Sequence, residues 1–186
     1  MGVAVELITL AGCELTIGGY PPFRYDATGG GAIGTAEQCA DQSWRLRFPV
    51  EAINIPALNY RTGRLLGLPL PPGLQIAIEP EALEGTAHPV RGELELHFKA
   101  RFRLQLAIAS TVIYTAPPLW VETQLSTKAL SSQRHQLQGR ASREGATALL
   151  VGVALVPRCG AAWLDRFLGL PDEALAALEC QLNLNP

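Results

Sequence analysis

The longest regular pattern in the chain runs from Glu93 to Ile108. Leu94, Leu96, Phe98, Ala100, Phe102, Leu104, Leu106 and Ile108 alternate with Glu93, Glu95, His97, Lys99, Arg101, Arg103 and Gln105 over sixteen residues. Period two with one apolar and one charged face predicts an antiparallel strand that packs one side on a core and leaves the other to water. At ~3.3 Å per residue it would span roughly 50 Å, far beyond the usual strand, so it must curve, bulge or be a pair. Its large apolar side chains, at ~1.5–3 kcal/mol each, add up to roughly 10–20 kcal/mol of gross burial before entropy is charged, which makes this segment the anchor of the fold.

Shorter segments repeat the pattern. Trp44, Leu46, Phe48 and Val50 alternate with Arg45 and Arg47; Leu74, Ile76 and Ile78 alternate with Gln75 and Glu79; Leu119, Val121, Thr123 and Leu125 oppose Trp120, Glu122 and Gln124. The apolar N-terminus reads as a first strand. Segments 136–142 and 147–156 flank Arg143-Glu144-Gly145-Ala146, which predicts a hairpin because Gly145 tolerates a positive φ. Ala148–Val156 is apolar throughout and predicts a central strand covered on both faces. Helical spacing enters late: Ala161–Leu168 stops at Gly169, and Pro171-Asp172-Glu173 opens a second predicted helix reaching Leu178. Cys180–Leu184 alternates again and predicts a last strand. Glycine and proline clusters at 21–22, 29–31, 62–63, 71–73 and 117–118 mark the loops.

Many strands with little helix to cover them predict a mainly β fold occupying residues 1–186 as a single domain, with a short C-terminal helical segment at about 161–178. An antiparallel barrel, half-barrel or strongly curved sheet ranks ahead of a sandwich, because an over-long amphipathic strand is accommodated when a sheet coils around its own apolar face.

Composition sharpens this. Hydrophobic residues make up 48% of the chain and charged ones 17%, below the usual ~25%, so much apolar surface must be hidden. A formal charge of −2 supplies no overall field that would gather nucleic acid or an anionic membrane, and any such binding would need a local patch. No apolar run is long enough for an ordinary transmembrane helix, and the apolar N-terminus carries Glu6 and no basic flank and so lacks the layout of a secretory signal, so a cytoplasmic location is expected. Cys13, Cys39, Cys159 and Cys180 are widely spaced with no C-x-x-C pair, which favours buried free thiols over disulfides.

The chemistry-bearing motifs are few. Gly29-Gly30-Gly31-Ala32-Ile33-Gly34 satisfies G-x-G-x-x-G, but Pro-Pro-Phe-Arg-Tyr-Asp-Ala-Thr stands where a buried strand should precede it, so a loop is expected rather than a dinucleotide site. His88, His97 and His135 lack ligand spacing, and Glu93, Glu95 and His97 share a strand face best read as solvated charge, so no metal or cofactor is expected. No nucleophile elbow is present, and the reading leans away from an enzyme.

Two functional readings remain. In the first, a concave apolar sheet face carrying Trp44, Phe48, Phe98, Phe102 and Leu104 holds a hydrophobic small molecule or lipid, with Lys99, Arg101 and Arg103 meeting its head group or an acidic partner. In the second, the chain is an interaction or assembly module, a homo-oligomer or a subunit of a larger complex, anchored through Tyr20, Phe23 and Trp120 beside rigid prolines. The first fails if the interior has no cavity of a few hundred cubic ångströms.

Overall fold

The computed structural model describes residues 2–142 and 146–185. In chain order the strands are β1 (Val3–Thr9), β2 (Cys13–Ile17), β3 (Phe23–Tyr25), β4 (Gly31–Gln38), β5 (Trp44–Phe48), β6 (Ile53–Asn54), β7 (Gly63–Leu65), β8 (Leu68–Pro69), β9 (Leu74–His88), β10 (Glu93–Ile108), β11 (Thr111–Thr115), β12 (Leu119–Ser126), β13 (Ala129–Ser131), β14 (Gln136–Gln138), β15 (Ala148–Val156) and β16 (Asp172–Asn185). One α-helix, α1 (Ala162–Leu168), precedes the last strand. Nearly all the strands join one large curved antiparallel sheet; β13 and β14 form a separate pair. Eight of them, in the order β1-β4-β5-β9-β10-β12-β15-β16, close a ring through the pairing of β16 with β1.

The sixteen-residue alternation becomes β10 over its full length. Its long partner β9 runs past the predicted end at Glu79 to His88, and the reason it was hidden is a bulge. Lys99 pairs with Ala82 and Ala100 with Pro80, which leaves Glu81 unpaired and switches the inward phase from Ile76 and Ile78 to Leu83 and Ala87. Pro80 has no N–H to give to a ladder, and a bulge is where a strand tolerates that.

Two predicted elements form differently. The helix expected over 171–178 is the first half of β16, a continuous strand that pairs with β15 from Asp172 to Cys180. The helix-forming composition of Glu173–Leu178 is overridden because neighbours on both edges satisfy the strand's backbone groups: β15 on one side, and β2 then β1 on the other. The hairpin expected between 136–142 and 147–156 reduces to a single bridge between Arg140 and Leu149. Gln136–Gln138 pairs instead with Ala129–Ser131, and the predicted turn residues 143–145 lie outside the described residues.

The glycine run is not a free loop. After a turn at Gly29 it leads straight into β4. A β-carbon at Gly31 would collide with the Leu7 carbonyl, and one at Gly34 with that of Arg47, so these glycines admit close strand approach rather than a phosphate.

Partner switching divides the molecule into two storeys. On one edge of β16, Cys180–Asn185 pairs with β1 and Ala174–Ala177 pairs with β2. In the lower storey β1, β4 and β5 close the ring around a packed core that includes Val5, Leu46, Leu96 and Leu150, each at most 1% exposed. In the upper storey the wall passes from β16 through β2, β3 and β7, and the bridge Leu58↔Ile76 ties the segment before β7 to the first half of β9. This upper wall surrounds the candidate site.

Candidate functional site

The upper storey encloses a half-open cavity of about 440 Å³. Inward positions follow from strand alternation: Phe98, Phe102 and Leu104 from β10, Ile76 and Ile78 from β9, Leu119 and Val121 from β12, and Ala176 and Leu178 from β16. These side chains are half-buried, whereas Leu96 and Leu125 on the same two strands β10 and β12 are fully buried at the cavity floor, and Leu94 beyond them is buried in the core outside the lining. The same sheet face is thus packed at one end and hollow at the other.

Helix α1 covers part of the opening. Seven residues are too few to persist alone, and its Ncap Ala161 supplies no side-chain cap. It is held by packing: Leu164 is 1% exposed and lines the cavity together with Phe167 and Leu168. Gly169 ends it in the left-handed conformation at φ 70°. The Tyr20 hydroxyl donates to the Phe167 carbonyl at 2.6 Å, and the two rings lie 5.7 Å apart, joining the β2–β3 turn to the helix. Phe167 both lines the cavity and is 59% exposed, which places the mouth beside it.

The lining contains no Asp, Glu, Lys, Arg or His among the described residues. Its hydroxyls are turned into the wall: Thr9 donates to the Ala27 carbonyl at 2.8 Å, Thr123 to that of Val153 at 2.9 Å, and Tyr25 to that of Pro56. The buried Thr16 hydroxyl has no partner among the described residues. Burial pushes the Cys180 thiol up to about 12 and raises the neighbouring Cys13 thiol and Tyr25 phenol as well, so all three keep their protons at neutral pH. All four cysteines are free. Among the described residues no group of three or more His, Cys, Asp or Glu is placed to hold a metal ion, and no helix is long and apolar enough to cross a membrane. What this arrangement can do chemically is exclude water and hold apolar matter.

The structure brings together part of the predicted set. Phe98, Phe102 and Leu104 line the cavity, but Phe48 is buried in the lower core and Trp44 packs against that core. Lys99, Arg101 and Arg103 stand on the opposite face of β10, because odd positions point outward when even ones point in. There they meet the glutamates of β9: Arg103 lies 2.9 Å from Glu79, Arg101 2.9 Å from Glu81, and Lys99 3.9 Å from Glu81. The three cations therefore do not reach the cavity. Trp120 is on the same outer face, 44% exposed, with Lys99 and Arg101 5.9 and 5.7 Å from its ring. Tyr20 and Phe23 prove to be cavity residues at the α1 end.

Sequence reasoning did not place Leu15, Ile76, Ile78, Leu164, Phe167 or Leu178 at the site. Leu164, Phe167 and Leu168 stand at helical spacing, which is the one local signal that could have singled out an inward helix face. Comparison with protein-family models, curated proteins and solved structures finds no match to this chain.

Proposed function

We propose that the protein is a non-catalytic binding protein that holds a hydrophobic small molecule or lipid in the upper storey of its sheet. One observation carries the reading. Apolar side chains on the inner face of β9, β10, β12 and β16 surround about 440 Å³ of unfilled space, while the same face is close-packed a few residues away. Protein interiors ordinarily leave few voids larger than a water molecule, and an apolar void of ~150 Å³ already takes up benzene. A space nearly three times that size lies within the range of small-molecule sites and suits a single acyl chain, an isoprenoid or a compact polycycle. With no charged side chain in the lining, recognition rests on shape and apolar area, and any polar end of the ligand faces the mouth at Tyr20 and Phe167.

The test is native mass spectrometry of the purified protein, repeated after denaturation with solvent extraction, alongside titration with the fluorescent fatty acid cis-parinaric acid. A copurifying apolar molecule, or saturable one-to-one binding lost in Phe102→Arg, supports the reading. A ligand-free protein that shows no saturable binding refutes it.

A further inference from the structure

We propose that the α1 end of the molecule docks on a lipid bilayer containing anionic head groups, with the cavity mouth facing the acyl chains. Antiparallel pairing brings four separate turns to this end: β2–β3, β7–β8, β10–β11 and the segment carrying α1. Their tips are apolar and open to solvent. Leu66 is 77% exposed, Leu68 70%, Ile108 66%, Ile113 59%, Trp163 49% and Phe167 59%. The chain is also uncharged over 15–23, 65–78 and 104–121, the stretches that build three of these tips, although exposed turns usually carry charge.

Cations collect just behind the tips. Arg24 and Arg64 are cross-strand neighbours one residue back from Phe23 and Leu65, Arg158 precedes α1 and Arg166 lies within its last turn. All four are exposed, and none makes an ion pair among the described residues. Like charges directly opposite on a sheet repel, so the Arg24–Arg64 pair favours an anion lodged beside it. Of the carboxylates at this end, Asp172 is paired with Arg134 at 2.8 Å, while Asp165 accepts from the Cys159 N–H at 2.8 Å and keeps a charge that acts on Arg158, so the Arg24–Arg64 pair is the main uncompensated positive site. Glu14, the other cross-strand neighbour of Arg24, stays beyond ion-pair distance. The basic residues of β10, by contrast, are neutralised by Glu79 and Glu81.

An apolar cap that is uncharged in three of its four tips, with exposed arginines beside and behind it, matches the layering of a bilayer, hydrocarbon inside and anionic head groups outside. The Tyr114 and Trp163 rings, 6.2 Å apart on the hairpin and the helix, sit where amphipathic aromatics favour the boundary. A protein partner would be better served by a flat contiguous face than by separated tips around an opening. Docking itself is independent of the proposed cavity ligand; direct loading from the membrane rests on that reading.

The experiment is flotation of the full chain with vesicles of phosphatidylcholine alone and of phosphatidylcholine with about a third phosphatidylglycerol, paired with tryptophan quenching by brominated acyl chains. Binding to the anionic vesicles should exceed that to neutral ones at least tenfold and fall with salt. Quenching should vanish in Trp163→Phe, leaving Trp44 and Trp120 unquenched. The double variant I113E/F167E, altered at two exposed tips, should lose binding tenfold or more while its circular dichroism stays native. Absence of vesicle binding, binding indifferent to that variant, or self-association of the free protein through these same residues would each overturn the proposal. Vesicle binding by a protein that takes up no cis-parinaric acid would sustain docking and remove the cavity reading.

Discussion

The substitution Ala176→Phe has a sign that depends on whether the upper storey is hollow. Ala176 lies on β16 with Gly152 opposite it on β15 and Leu15 opposite it on β2, and all three line the cavity. A phenyl ring needs room comparable to the ~150 Å³ void that accepts benzene, about a third of the 440 Å³ present. Burying it there gains ~1.5–3 kcal/mol, less the side-chain ordering cost. Forced into a filled core, the same ring would cost ~1–3 kcal/mol. The control is Ala100→Phe on β10, fully buried between Phe98 and Phe102 and outside the cavity lining, where the loss is expected. In urea unfolding followed by tryptophan fluorescence, Ala176→Phe should leave the unfolding free energy unchanged or raise it, and Ala100→Phe should lower it by ~1–3 kcal/mol. For a chain of this size that loss is worth roughly 2–4 °C of melting temperature per kcal/mol. Uptake of cis-parinaric acid should fall in Ala176→Phe although stability does not. If Ala176→Phe destabilises as much as Ala100→Phe, the void is filled in solution and the reasoning is wrong.

Two other perturbations address how the site is held. Tyr20→Phe keeps the ring contact with Phe167 but removes the 2.6 Å hydrogen bond to its carbonyl, so it should cost ~0.5–1.5 kcal/mol locally. Amide exchange over residues 162–168 should quicken roughly two- to tenfold while exchange in β10 is unchanged, and unaltered exchange in α1 would show that the bond does not hold the helix. Stability should also respond to alkali. Cys180, with its thiol pushed up to about 12, and the raised Cys13 and Tyr25 bind protons more tightly folded than unfolded. Their contribution is complete below the ordinary thiol range near pH 9 and is lost as pH rises from there toward 12, at ~1.4 kcal/mol per pH unit for each group titrating only when unfolded. Urea midpoints should hold steady from pH 7 to 8.5 and then fall, less steeply in Cys180→Val; a flat profile to pH 11 would contradict the burial of these groups.

How far the sequence could be read depended on whether pattern and environment agreed. β10 was legible to the residue because its alternation is unbroken and one face points inward from Leu94 to Leu104 before the strand runs out into solvent at Leu106 and Ile108. The second half of β9 was not, since the bulge at Glu81 shifts the phase within a single strand and leaves Glu79–Thr86 without apparent period. β16 was misread for a different reason: its composition favours helix, and the pairing that makes it a strand comes from β1 and β2 at the far end of the chain and from β15 across α1. For the site, alternation placed Phe98, Phe102 and Leu104 on one inner face but could not say where along that face packing ends. Trp44 and Phe48 share the face and sit in the packed storey. The same alternation implied that Lys99, Arg101 and Arg103 point away from anything Phe98 and Phe102 hold, and their partners on β9 became visible only once the register with Glu79 and Glu81 was known.

The division into storeys also bears on how a ligand could enter. Lower-storey residues such as Val5, Leu46, Leu96 and Leu150 are fully buried, and each contributes ~1.5–3 kcal/mol of gross burial. The ring there is joined by extended ladders, six residue pairs between β1 and β16 and five between β5 and β9. The join between β12 and β15 rests on one pair, Ser126↔Val151, and above it the Thr123 hydroxyl bonded to the Val153 carbonyl stands in for a backbone ladder. That seam runs up to the end of β15, where the chain turns into the segment carrying α1, itself tied down by one tyrosine hydroxyl and a few apolar side chains. Regions with few backbone ladders open at lower free energy than the global unfolding they leave untouched. On the proposed reading, opening at this seam and at the mouth beside Phe167 is the route that would let a ligand pass while the lower storey keeps the fold closed.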